Sequence, residues 1–229
     1  MTRRLSPEMV AAYLREIGID YLPVPSPARK PASGAIPAAP PPAAATAETL
    51  EDIRKELLSC RGCPLCAGRR TVVFGVGNPR TRLMFIGEGP GEEEDRQGEP
   101  FVGAAGRRLN QWIARLGLAR EDVYIANVVK CRPPGNRAPL PEEAASCLPF
   151  LKRQIRAIRP EAICTLGAVA LQYLLGTNEK ITRVRGKWRE VEGVPVLPTY
   201  HPAFILRNQT RETEVFADLD LLAERLHLK

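Results

Sequence analysis

Three of the six cysteines fall in one short run, Cys60-Arg61-Gly62-Cys63-Pro64-Leu65-Cys66, and two more, Cys131 and Cys147, flank a loop rich in proline and arginine. A Cys-x2-Cys pair completed by two distant cysteines is how a small domain builds a four-thiolate site. The pair shares one turn, and the other two ligands arrive through folding. On spacing alone, zinc and an iron–sulfur cluster fit almost equally well. Cys66 lies close enough to Cys60 to stand in for Cys63. Cys164 sits in an apolar stretch and reads as a packed thiol.

A second group of residues lies between and after the cysteines. Gly87-Glu88-Gly89-Pro90-Gly91-Glu92-Glu93-Glu94-Asp95 is glycine-rich but carries five acids. Those acids would repel a phosphate, and the dinucleotide-binding spacing of glycines is absent. Carboxylates on a loop that lets backbone approach a substrate suit a reaction in which positive charge develops. A tight turn bearing a solvated acidic face is the plainer reading. Phe101, held in Pro100-Phe101-Val102-Gly103, is either a core plug or a platform for a planar ring. Asn127 interrupts the apolar run Ile125-Ala126-Asn127-Val128-Val129, where an amide is costly to bury without partners. Its paired donor and acceptor match the edge of a nucleobase, or it is a satisfied structural amide. His201, before Pro202, is one of two histidines, and taken alone it reads more readily as a capping or packed residue than as a catalyst.

The elements needed to position these groups are legible in the periodicity. Arg82 to Ile86, Val123 to Val129 and Ala162 to Leu166 read as buried strands. Leu109, Trp112, Ile113 and Leu116 mark a helix closed by Gly117. Residues 141–158 read as a helix between Pro141 and Pro160. Trp188–Val191 and Val194–Leu197 flank a turn at Gly193, and Val215, Leu219, Leu222 and Leu226 give a last helix. Strands alternating with helices imply a largely parallel sheet covered on both faces. The folded domain is expected over 48–229. Before it stand a helical segment in 1–21, with Ser6 and Pro7 at its start, and a Pro/Ala-rich linker over 22–47.

The formal charge is +7, most of it beyond residue 49, which suits a polyanionic partner as well as an ordinary basic surface. No apolar run approaches the roughly 20 residues needed to span a bilayer, and the N-terminus has no secretory h-region. These features lead to the expectation of a cytoplasmic protein without membrane contact, with reduced thiols.

In their order and combination, Gly87-Glu88-Gly89-Pro90-Gly91, Pro100-Phe101-Val102-Gly103, Asn127 and His201-Pro202 resemble the iron–sulfur uracil-DNA glycosylases of family 4, over about residues 50–228. The resemblance implies a three-layer α/β/α fold with a four-stranded parallel sheet. It also implies excision of uracil from DNA, and a [4Fe–4S] cluster on Cys60, Cys63, Cys131 and Cys147. Phe101 would stack on a flipped uracil, Asn127 would read its edge, and His201 would stabilise charge on its O2. Glu88 and the Gly89 backbone would position water and steady the sugar cation, and Glu94 would lie near C5. Phe204, Leu206 and Arg207 would enter the minor groove, and Arg132, Asn136 and Arg137 would touch the DNA backbone. The wider superfamily carries an aspartate where this chain has Gly89, so water activation falls to Glu88 or to backbone groups. A subfamily that binds uracil covalently uses a histidine in an insertion; residues 128–147 hold none. The expected partner is uracil-containing DNA bound by a monomer, with residues 6–18 as a tether for another protein. The rival reading is a non-catalytic or covalent uracil- or nucleic-acid-binding module with a metal-stabilised fold.

Overall fold

Every residue of the strand Leu83–Gly87 is buried, as expected where helices cover both faces of a sheet. In the computed structural model, which describes residues 48–228, it is the second of six strands. They are β1 (Val76–Gly77), β2 (Leu83–Gly87), β3 (Tyr124–Asn127), β4 (Ala162–Leu166), β5 (Arg189–Val191) and β6 (Val194–Thr199). Their order across the sheet is β1-β3-β2-β4-β6-β5. The central four run parallel, and β1 and β5 pair antiparallel at the two edges. The expected four-stranded parallel sheet is therefore present but extended by two short edge strands. β1, at two residues, is too brief to leave a periodic signal. The β5–β6 hairpin turns at Glu192 and Gly193, both at positive φ (50° and 76°), the twist-matched geometry of a two-residue hairpin.

Eight helices connect and cover the strands: α1 (Leu50–Leu58), α2 (Glu92–Gln97), α3 (Ala104–Arg115), α4 (Pro141–Ile158), α5 (Ala168–Leu175), α6 (Ile181–Val184), α7 (Pro202–Arg207) and α8 (Glu212–Arg225). Side chains alternate across each strand, so Leu83 and Phe85 face one layer while Met84 and Ile86 face the other. The first layer is α3, α7 and α8, packed through Leu109, Trp112, Ile205 and Leu219. The second is α4 and α5, packed through Leu151, Ile155 and Leu174. α4 starts on Pro141 and stops at Arg159, left-handed at φ 53°, because Pro160 cannot continue it. α5 left no amphipathic signature because its sequence, AVALQYLL, is apolar almost all round. The expected helix in 1–21 and linker over 22–47 lie outside the described residues.

The parallel order matters for function. The chain leaves β2 for β3 on one side, then returns across β2 to β4 on the other. The switch in direction thus lies between β2 and β4, and open α/β sheets place ligands outside the carboxyl ends of the strands at such a point.

The first layer is locked by Glu212 at the start of α8, which accepts hydrogen bonds from the Trp112 indole at 3.0 Å and from Arg108 at 3.0 Å. Replacing it with alanine strands a buried indole N–H and an arginine. Glu212→Ala should cost about 1–3 kcal/mol, measured as a lower urea midpoint with unchanged slope.

Candidate active site

Gly87 ends β2 directly opposite Asn127, which ends β3, and neither strand stops there by accident. A Cβ on Gly87 would stand 2.5 Å from both the Asn127 Oδ1 and the Phe101 Cζ. Only a bare backbone lets the amide and the ring converge. The chain after each strand stays zipped, with Val128 donating to the Gly87 carbonyl and Val129 to that of Glu88. Phe101 is buried and adopts φ 55°, a left-handed conformation that a bulky residue holds only when its surroundings enforce it. Gly106 in α3 is part of that enforcement, because a Cβ there would overlap the Phe101 carbonyl at 1.8 Å. Arg120 adds a hydrogen bond to the Pro100 carbonyl.

Phe101 and Asn127 line a cavity of about 510 Å³ with Glu88, Gly89, His201 and Phe204. His201 caps α7, and its Nδ1 accepts the Ala203 N–H at 3.1 Å. That bond leaves the proton on Nε2, so the neutral ring is a donor. Burial, with a smaller push from Arg207, moves its pKa down to about 4. The ring centroid lies 5.6 Å from that of Phe101. Gly167, at φ 91°, turns β4 into α5 close beneath the His201 Cβ. Asn127 is almost wholly buried, and its Oδ1 has no hydrogen-bond partner among the described residues. An orphaned acceptor at the floor of a cleft wants a donor from outside the chain.

The five acids of the glycine loop separate into distinct jobs. Glu94 accepts from the amides of Gly91, Val102 and Gly103, clamping the glycine loop to the Phe101 loop. Asp95 is buried and accepts the Arg70 amide. Glu92 pairs with Arg132, and Glu93 with Arg96. Among the described residues only Glu88 has no such partner, and burial pushes its carboxyl pKa upward. Glu94 does border the cavity, but both its oxygens are engaged by backbone.

The residues expected at the DNA are spread unevenly. Phe204 and Arg207 line the cleft, with the Phe204 ring 5.0 Å from Tyr200. Arg137 lines it too, but its guanidinium is gripped by Glu143 at 2.7 and 2.8 Å. Leu206 and Arg132 are half-buried outside the cavity wall. Sequence reasoning missed the network behind His201, where Thr199 donates to Asp218, Arg185 pairs with Asp218, and Tyr200 donates to Glu214. Asp218 and Arg185 stand far apart in sequence within unremarkable charged stretches, so no local pattern announces them.

On the opposite layer Cys60, Cys63, Cys66, Cys131 and Cys147 line a separate small cavity that shares no residue with the cleft. All six cysteines are free thiols, and Cys164 is fully buried in β4.

Comparison with known proteins identifies relatives. Residues 74–220 match the uracil DNA glycosylase superfamily. A type-4 uracil-DNA glycosylase of Thermotoga maritima is 50% identical over 169 residues, covering 72% of this chain and 87% of that protein. One from Archaeoglobus fulgidus is 49% identical over 174 residues, with the same coverage. A type-5 uracil-DNA glycosylase of Pyrobaculum aerophilum is 29% identical over 196 residues, covering 71% of this chain and 86% of that protein.

The packing around Phe101 has a measurable consequence. Alanine favours a helix over glycine by roughly 1 kcal/mol, yet Gly106→Ala within α3 should destabilise the protein, since its methyl collides with the Phe101 backbone. A thermal midpoint at or above that of the parent would contradict the account.

Proposed function

The chain belongs to the uracil-DNA glycosylase superfamily, and we propose that its cleft takes a uracil flipped out of DNA and hydrolyses the bond to its sugar, leaving an abasic site. The observation that carries the reading is the orphaned Asn127 Oδ1 beside Phe101 and His201 in one cavity. A base inside a duplex is out of reach, so it must be extruded. Phe101 offers the flipped ring a stacking face, worth about 1–3 kcal/mol. The Asn127 Oδ1 accepts the N3–H of uracil while its amide N–H donates to O4. Cytosine presents the reverse pattern and leaves the amide unpaired.

Bond breaking drives negative charge onto the departing uracil, chiefly O2, and positive charge onto the sugar. The His201 Nε2–H, fixed by the Ala203 bond to Nδ1, donates to O2 as that charge grows. A neutral donor of this kind acts by preorganised electrostatics and needs no proton transfer. Glu88, the unpartnered acid, faces the sugar side, where its carboxylate steadies the cation and orients water. The Gly89 backbone shares that task. Glu94 acts by holding the two loops together. Arg207 and Phe204 meet the strand around the vacated position.

The four thiols of Cys60, Cys63, Cys131 and Cys147 fit an iron–sulfur cluster, with Cys66 at the same cavity as a spare. Four cysteine thiols around one cavity are the donor set of such a cluster. Bound, it would supply a clip joining the Cys60–Cys66 turn, the exit of β3 and α4. Among the described residues no helix is long and apolar enough to cross a membrane. Free thiols suit the reducing cytoplasm, where we place the protein.

A uracil-containing oligonucleotide treated with the protein, then with alkali, should break at the uracil. His201→Ala should lower that cleavage about 10²- to 10³-fold with DNA affinity nearly unchanged. If no alkali-sensitive site forms, the protein is a binding module; a DNA-linked protein band would reveal covalent capture instead.

The two pKa shifts fix the pH dependence. His201, titrating near 4, stays neutral through all pH values above about 5. Glu88 must be ionised, so cleavage falls as pH drops through its raised pKa, above the usual carboxylate value of about 4.3. Single-turnover rates should show this acid limb, and Glu88→Gln should be slower and flat above pH 5. A limb that survives that substitution belongs to another group.

A further inference from the structure

Lys130 precedes Cys131 and is completely buried. Its ammonium makes one hydrogen bond, to the Gln154 Oε1 at 2.7 Å. Gln154 is itself buried and spends its amide on the Phe74 carbonyl. Among the described residues no carboxylate pairs with Lys130. A buried, singly bonded cation is costly, and lysine is almost never fully buried unless a counter-charge compensates it. Lys130 lines the cysteine cavity.

A second cation approaches from the other side. Arg69 is partly buried and donates to the Cys131 Sγ at 3.3 Å and to the Leu58 carbonyl at 3.4 Å. It too has no carboxylate partner among the described residues. The acid near these thiols, Glu143, is neutralised by its ion pair with Arg137. Two positive charges therefore face the thiol cavity without a protein anion to answer them. Four thiolates around a dicationic iron–sulfur core carry two net negative charges, and net charge and hydrogen bonds to sulfur set such a cluster's reduction potential.

Building on the cluster reading above, we propose that Lys130 and Arg69 are the cluster's dedicated counter-charges, holding its one-electron reduction potential up and its thiolates in place. The added electron would come from an electrode or a chemical reductant and raises the negative charge by one, so each cation favours the reduced state. They are positioning residues for the cluster, with no contact to the base cleft.

The test is electrode titration of the iron-loaded full-length protein. Arg69→Gln and Lys130→Met should each lower the potential by about 59 mV, a tenfold shift in the one-electron equilibrium. Arg69→Lys, which keeps the charge, should shift it by much less. Uracil release by Arg69→Gln should stay near the parent's, because Arg69 does not line the cleft. If Lys130→Met fails to fold or sheds iron, Arg69→Gln decides. Full iron with unmoved potentials in both variants overturns the inference alone. One zinc in place of iron in the parent protein overturns the cluster reading beneath it.

Discussion

The site rests on a missing side chain. At the carboxyl end of β2 three groups compete for one space: the Gly87 backbone, the Asn127 amide and the Phe101 ring. Parallel pairing brings Gly87 and Asn127 into register, and the left-handed turn at Phe101 swings its ring in from the next loop. Any methyl at position 87 would drive the two apart. The glycines at 106 and 167 serve the same end one step removed, admitting the Phe101 backbone and the His201 side chain. The cleft is thus a packing solution before it is a chemical one, and its rigidity follows from interiors that leave no slack.

The electrostatics follow from how that packing assigns partners. A loop with five acids could have presented a repulsive face to DNA. Instead, backbone amides and arginines occupy four of them, leaving Glu88 unclaimed in a half-buried position. Across the cleft His201 is kept neutral because its acceptor nitrogen is consumed by the first turn of α7. A protonated imidazole would spend that cap. The arrangement sets a carboxyl without a partner among the described residues and a neutral imidazole donor around one cavity. In the bond cleavage proposed for this cleft, the carboxylate would answer the sugar cation and the donor the departing base, with no reorganisation of either group.

How much of this was legible beforehand depended on whether the signal was local. The strands at 83–87 and 162–166 and the helix 141–158 read directly, because apolar period and proline punctuation are local properties. The site residues were legible through motif order, and the structure gathers Glu88, Phe101, Asn127 and His201 around one cavity. What could not be read was which acid was free, since that depends on partners such as the Val102 amide and Arg132. The Asp218–Arg185–Thr199 support was equally hidden. α5 escaped because a helix buried on most sides has no polar face to mark its period.

The two layers divide stability from chemistry. Phe101 and His201 sit with the α3, α7 and α8 layer, while Cys63, Cys131 and Cys147 sit with α4 and the opposite face of the sheet. Yet β3 feeds both: Asn127 ends the strand at the cleft, and Lys130 and Cys131 follow within one turn of chain. The cleft wall then continues through Pro133 to Arg137, whose guanidinium returns to Glu143 on α4, one helical turn before Cys147. Between the two thiols, the Arg137–Glu143 pair ties the segment to α4. With the proposed cluster on those thiols, a closed loop of this kind would steady the cleft wall at residues 133–137 without any contact between the cluster and the base cleft. Loss of the proposed cluster would act on residues 132–146 and leave the Gly87–Asn127 register intact, because that register is set by the sheet itself.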